Sequence, residues 1–158
     1  MNQLLQPYTK FLEHYQFIEP PILLGGIAMK YYDLRECGHD LDMMISKTDK
    51  NNLLKLGYPL NLFGGKSESD IDSTFSNILD LHLDLVITLN QYDYDFFKLR
   101  AKTIPENSDL LIISIEDLLL TKIFAQTYSN FEKHSRDVKL IIQGIEKRNY
   151  PHLHLHQS

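Results

Sequence analysis

At 158 residues, with 43% hydrophobic and 23% charged side chains, the chain has the length and composition of one soluble globular domain with a core of its own. A net charge of −5 argues against a broad, non-specific grip on nucleic acid, and no apolar run approaches the ~20 residues a membrane helix needs. The single cysteine, Cys37, excludes an internal disulfide and fits a reducing cytoplasm; the first residues lack the basic-then-apolar pattern of a signal peptide.

In chain order, Leu4, Leu5, Tyr8, Phe11, Leu12, Tyr15 and Ile18 recur at steps of three and four and predict an amphipathic helix over 3–18. Pro20-Pro21 ends it. Residues 22–24 read as a short buried strand, Gly25-Gly26 as a turn, 27–35 as a helix broken by Gly38, and 40–46 as a second strand. Ser46 caps a helix running to about residue 56, and 58–63 is a third strand stopped by Gly64-Gly65. Residues 66–77 are polar and read as a loop or short helix. In 78–88, Leu79, Leu81, Leu83 and Leu85 alternate with Asp80, His82 and Asp84, the pattern of a half-buried strand. A turn-rich connection over 90–95, a strand over 96–103, a turn at 105–108 and a last strand over 110–113 follow. Ser114 and Asp117 have capping-box spacing and open a helix, and 131–147 forms the final one, stopped at 149–151. The order implies an α+β fold: a mixed sheet flanked by helices, with a C-terminal helical hairpin. No boundary divides the chain, which reads as one domain: sheet and helices over 1–104, a strand and helical part over 105–150, and a tail over 151–158.

Chemistry concentrates at 22–45. Gly25 and Gly26 allow a sharp turn and a close backbone approach, and a helix starting there points free N–H groups at a phosphate. Asp40 and Asp42 lie two apart in an apolar run, so on a strand they share a face. Neighbouring carboxylates repel, and a hard divalent cation relieves that repulsion. An acid in Leu-Asp-Met-Met-Ile also needs a reason to be there, because burying an unpaired charge is costly. Asp84 stands before Leu-Val-Ile in the same context as Asp42, with Asp80 its rival on the same face. His82 reads as a surface residue. Asp70-Ile71-Asp72 mimics the motif but follows Gly64-Gly65 too closely for a full helix.

Gly25-Gly26, Ala28, Arg35, and Asp40-x-Asp42 in a hydrophobic strand resemble the signature of the DNA polymerase beta-like nucleotidyltransferase superfamily. The nearest resemblance is to its small bacterial toxin–antitoxin and abortive-infection branch. Glu116-Asp117-Leu118, Lys122 and Arg136-Asp137 extend it weakly into the helical end, while Gly38 and Leu140 depart from residues the family often has there. The resemblance implies transfer of a nucleoside monophosphate from an NTP to an acceptor hydroxyl on a protein, a tRNA or a small molecule. Mg²⁺ or Mn²⁺ would be held by Asp40, Asp42 and a third carboxylate, Asp84. Gly25, Gly26, Arg35 and Lys122 would contact the nucleotide. For Arg35 a salt bridge to Glu36 or Glu13 competes with a phosphate contact, and Lys122 either reaches the triphosphate or pairs with Asp137. Two other classes remain: an inactive nucleotidyltransferase-fold module that binds a partner protein, and a metal binder using His152, His154 and His156 of the tail.

Overall fold

In the computed structural model the residues described are 3–38, 40–58, 71–76, 83–88, 91–128 and 131–148; in 71–76, 84, 86–88, 91, 128 and 148 the description covers the backbone alone. Of the strand expected over 58–63, Tyr58 is described and is not in a strand; residues 59–63, Asp80, His82 and the histidine tail lie outside the described residues. Mixed α+β architecture is present as expected. Among the described residues, one six-stranded sheet has the order β3-β4-β2-β1-β6-β5, built from β1 (Ile22–Leu24), β2 (Leu41–Ile45), β3 (Ile71–Ser76), β4 (Leu83–Thr88), β5 (Lys102–Ile104) and β6 (Asn107–Ile112). Pairings β1–β6 and β2–β4 are parallel; β1–β2, β3–β4 and β5–β6 are antiparallel.

The middle of the sheet is buried: Ile22, Leu23, Met43, Met44, Ile45 and Ile112 have 1% exposure or less. Strands covered on both faces read as continuous apolar runs, which is why an acid at position 42 stands out.

Helix α1 (Gln6–Leu12) is shorter than its periodicity predicts. Past it the chain is drawn toward Asp49, whose carboxylate accepts the Tyr15 hydroxyl at 2.6 Å and the backbone N–H groups of Ile18 (2.8 Å) and Glu19 (3.0 Å). Ser46 caps α3 (Lys47–Lys55) as expected, accepting from the Asp49 N–H at 3.1 Å.

Two expectations fail on type. Residues 71–76 form an edge strand rather than a loop or helix; Ile, Thr and Phe there are strand formers hidden among Asp and Ser. Residues 91–100 form helix α4 (Gln91–Arg100), not a turn leading into a strand. Tyr94, fully buried with its hydroxyl 2.6 Å from the Pro20 carbonyl, leads a helical row continued by Phe97 and Ala101.

At the C-terminal end, Ser114 accepts from the Asp117 N–H at 3.2 Å and opens α5 (Ile115–Tyr128). Asp117, fully buried, takes the Arg100 guanidinium of α4 as its ion-pair partner. Helix α6 (Phe131–Arg148) packs back on α5, giving the expected hairpin.

Candidate functional site

Helix α2 (Gly25–Tyr31) begins at Gly25 itself and ends earlier than expected. Gly38 does not break it; Asp33, at φ +58°, turns the chain out of the helix. Tyr32 anchors that exit, buried with its hydroxyl 2.7 Å from the Ile113 carbonyl. Arg35 therefore lies in the loop after α2 rather than in the helix, and is free to reach across the fold.

Gly25 sits at φ +64°, in the left-handed region that favours glycine. A Cβ built on it would stand 2.1 Å from Oδ2 of Asp42, so that carboxylate lies directly against the Gly25 backbone. Beside it, a Cβ on Gly26 would stand 3.7 Å from Nη1 of Arg35 and 3.3 Å from Cβ of Cys37. The diglycine turn is thus the meeting point of a half-buried acid and a guanidinium.

The sheet register explains the acid's place. Leu24 pairs with Asp42, and Asp42 with Asp84, so the three positions form one row across β1, β2 and β4. Registered positions on neighbouring strands share a face of the pleat. Asp84 accordingly occupies the position beside Asp42, although its side chain is outside the description. Asp40 departs from expectation: β2 starts at Leu41, leaving Asp40 exposed in the preceding loop, so its approach to Asp42 is not set by the pleat. Among the described residues no three His, Cys, Asp or Glu side chains converge on one point.

Arg35 and Lys122 are brought together by Asp137 of α6. Arg35 donates from Nε (2.6 Å) and Nη2 (2.8 Å) to the two carboxylate oxygens, a bidentate fork, and from Nη1 to the Glu36 carbonyl. Lys122 Nζ lies 2.8 Å from Oδ2 of the same carboxylate. Asp137 and Lys122 are almost wholly buried, their side chains 3% and 8% exposed. Burial opposes ionisation of Asp137, but the hydrogen bonds from Arg35 and Lys122 outweigh it and hold its pKa at about 2. The Asp137 hydrogen bond raises the Arg35 pKa against desolvation, and the Asp42 charge adds to it. His134, one turn before Asp137, has its pKa lowered by desolvation and then by the Lys122 and Lys133 charges; its Nδ1 is buried without a hydrogen-bond partner.

Of the residues singled out from sequence, Gly25, Gly26, Arg35 and Asp42 meet at one turn, and Lys122 joins Arg35 through Asp137. The Arg35–Asp137 pair was not anticipated, and neither Glu36 nor Glu13 provides the carboxylate that Arg35 takes. The available signal was an acid at 137 set beside Val138 and near Leu140 and Ile141. Two cations share one carboxylate here, and one of them, Arg35, reaches Gly26 beside the Asp42 oxygens, donors of the type a hard cation takes.

No protein-family model matches the chain, and no curated protein sequence matches it significantly.

Proposed function

We propose that the protein is a metal-dependent nucleotidyltransferase of the DNA polymerase beta-like type, moving a nucleoside monophosphate from an NTP to an acceptor hydroxyl. The observation that carries this reading is the Asp42 carboxylate seated against Gly25, with the Asp84 position in register beside it and Arg35 against Gly26.

Carboxylate oxygens of Asp40, Asp42 and Asp84 are the donor type that Mg²⁺ or Mn²⁺ takes, and this set would hold it. When bound, the metal supplies neutralisation of triphosphate charge and a lowered pKa at the acceptor hydroxyl. The chain's own part is positioning. Gly25 gives the Asp42 carboxylate room against the backbone, Gly26 gives room to Arg35, and Arg35 and Lys122, fixed by Asp137, would donate to the phosphates. The acceptor oxygen bonds to the α-phosphorus as the bond to the β-phosphate's bridging oxygen breaks. Its proton passes to Asp84 as base, and pyrophosphate leaves. We assign the activity to the cytoplasm, where a free Cys37 persists.

A second reading has one observation in its favour: Arg35 and Lys122 are already engaged by Asp137, as in a module that uses the fold to bind a partner protein. Pyrophosphate release separates the two. Wild-type chain with NTP, Mg²⁺ and a cell extract as acceptor source should release pyrophosphate, and Lys122→Ala should lose most of it. Release by neither, with each NTP and with Mn²⁺ as well, favours the binding module.

A further inference from the structure

A pocket of about 180 Å³ opens where β1 begins, at the opposite end of that strand from the diglycine turn. Tyr8 and Leu12 of α1, Phe17 and Ile18 of the segment after it, and Ser108 and Asp109 of β6 are among its walls. We propose that it binds an organic cation: a primary ammonium group carried on a short apolar body.

The deciding group is Tyr8. It is 1% exposed, yet among the described residues its hydroxyl has no hydrogen-bond partner. A buried phenol normally finds one. The oxygen is not sealed in either, so it keeps a contact with solvent, and Tyr8 lines this pocket. Burial and then the Asp109 charge push its pKa up to about 12, so at neutral pH the hydroxyl keeps its proton within the field of a carboxylate. Asp109 is exposed; its backbone N–H is taken by Asn107 Oδ1 at 3.1 Å, and its carboxylate has no ion-pair partner among the described residues. An ammonium donates three hydrogen bonds, and carboxylate, phenol and the Ser108 hydroxyl all accept. Leu12, Phe17 and Ile18 supply carbon for the stem, as apolar surface does for the stem of a lysine. The volume falls below the ~300 Å³ at which drug-sized sites begin and suits one short group.

The walls are fixed in advance, which lowers the ordering cost of binding. Asp49 holds the 15–20 segment through Tyr15, Ile18 and Glu19, and the Pro20 carbonyl accepts the Tyr94 hydroxyl. Phe17 stacks on Tyr8, ring centroids 6.2 Å apart and planes 20° from parallel. Strand β6 runs parallel to β1, and the Leu111 N–H donates to the Pro21 carbonyl at 3.0 Å, which brings the start of β6 beside the start of β1. From Pro20 to Gly25 the roughly extended chain spans ~16 Å, so the pocket is separate from the diglycine turn and does not rest on the nucleotide reading.

The test is a titration of the full ¹⁵N-labelled chain with n-butylammonium and with N-acetyl-lysine amide, followed by amide chemical shifts. n-Butanol and butyrate are the neutral and anionic controls. Shifts at 8–20 and 107–110 should saturate with n-butylammonium, with n-butanol at least threefold weaker and butyrate weaker still. Asp109→Asn and Tyr8→Phe should each weaken n-butylammonium by about three- to tenfold. Tyr8→Phe should also melt at or above the wild-type Tm, because the lost hydroxyl has no partner within the protein. Saturation by n-butylammonium with exclusion of the lysine amide supports the site and assigns it to free amines; saturation by both supports it and extends it to a basic side chain of a peptide. Equal affinity for n-butanol, unchanged binding in Asp109→Asn, a Tyr8→Phe Tm several degrees below wild type, or no saturable shift with either cation overturns the proposal.

Discussion

Replacing Gly25 by alanine probes the diglycine turn most sharply. An L-residue held in the left-handed region costs about 1–2 kcal/mol, and a domain of this size loses ~2–4 °C of Tm per kcal/mol. At φ +64°, Gly25→Ala should pay that cost. The new methyl would also stand 2.1 Å from Asp42 Oδ2, 3.0 Å from Cγ and 3.2 Å from Cβ. The carboxylate must then retreat by roughly 1 Å or more to reach ordinary contact. Asp42 cannot slide away with its backbone, because its strand is held in register by both β1 and β4. Gly57 provides the control: its φ is +85° and, among the described residues, nothing lies within 4 Å of its built Cβ, so Gly57→Ala pays the backbone cost without that clash. Thermal melts with and without MgNTP should show Gly57→Ala down by about 2–8 °C with its nucleotide shift intact. Gly25→Ala should fall further and lose the shift. In an Asp42→Ala background the cost of Gly25→Ala should drop to that of Gly57→Ala. Equal costs for the two alanines in the wild-type background, or a normal nucleotide shift in Gly25→Ala, would refute the close contact between turn and acid.

Asp137→Asn removes the nearly buried charge that pairs nearly buried Lys122 and partly exposed Arg35, and breaking such a pair costs up to about 3–5 kcal/mol, readable by urea denaturation. Asp137 also sets an acid limit. Its folded pKa, about 2, lies below the ordinary ~3.9 of the unfolded chain. Its stabilisation is therefore full above about pH 5 and is lost as pH falls toward 2, and Asp137→Asn should flatten that part of the stability–pH curve. His134 acts in a separate window. With its pKa lowered by folding, the unfolded state binds its proton more readily, so stability falls as pH drops below about 6.5. His134→Gln should flatten the curve just below pH 6.5 while leaving the lower limb in place. Tyr15→Phe deletes a buried hydrogen bond to the Asp49 carboxylate and should cost about 1.5–3 kcal/mol by denaturant melts, with no change in MgNTP binding.

What the sequence made legible is what local chemistry decides. Ser46 and Ser114 announce α3 and α5 because a cap and its first turn lie within four residues. The apolar runs at 22–24 and 41–45 read as strands because both faces are buried. Helix α4 was hidden because 90–95 reads as a turn-rich connection and the apolar start of 96–103 as a strand, and only Pro20, 74 residues from Tyr94, shows which ring is buried. The end of α2 was hidden for a similar reason: a single left-handed Asp33 decides it. At the site, the two glycines and Asp42 were readable from their spacing. Arg35 and Asp137 were not, since 102 residues separate them and their pairing depends on how the C-terminal hairpin packs against the sheet.

Isothermal titration of MgNTP into wild-type chain and into Asp42→Asn tests the nucleotide site most directly. The wild type should bind at least one of the four nucleotides, and Asp42→Asn should weaken that binding by about tenfold or more, equivalent to ~1.4 kcal/mol. Equal affinity in the two proteins, or no heat with any nucleotide and either Mg²⁺ or Mn²⁺, would contradict it.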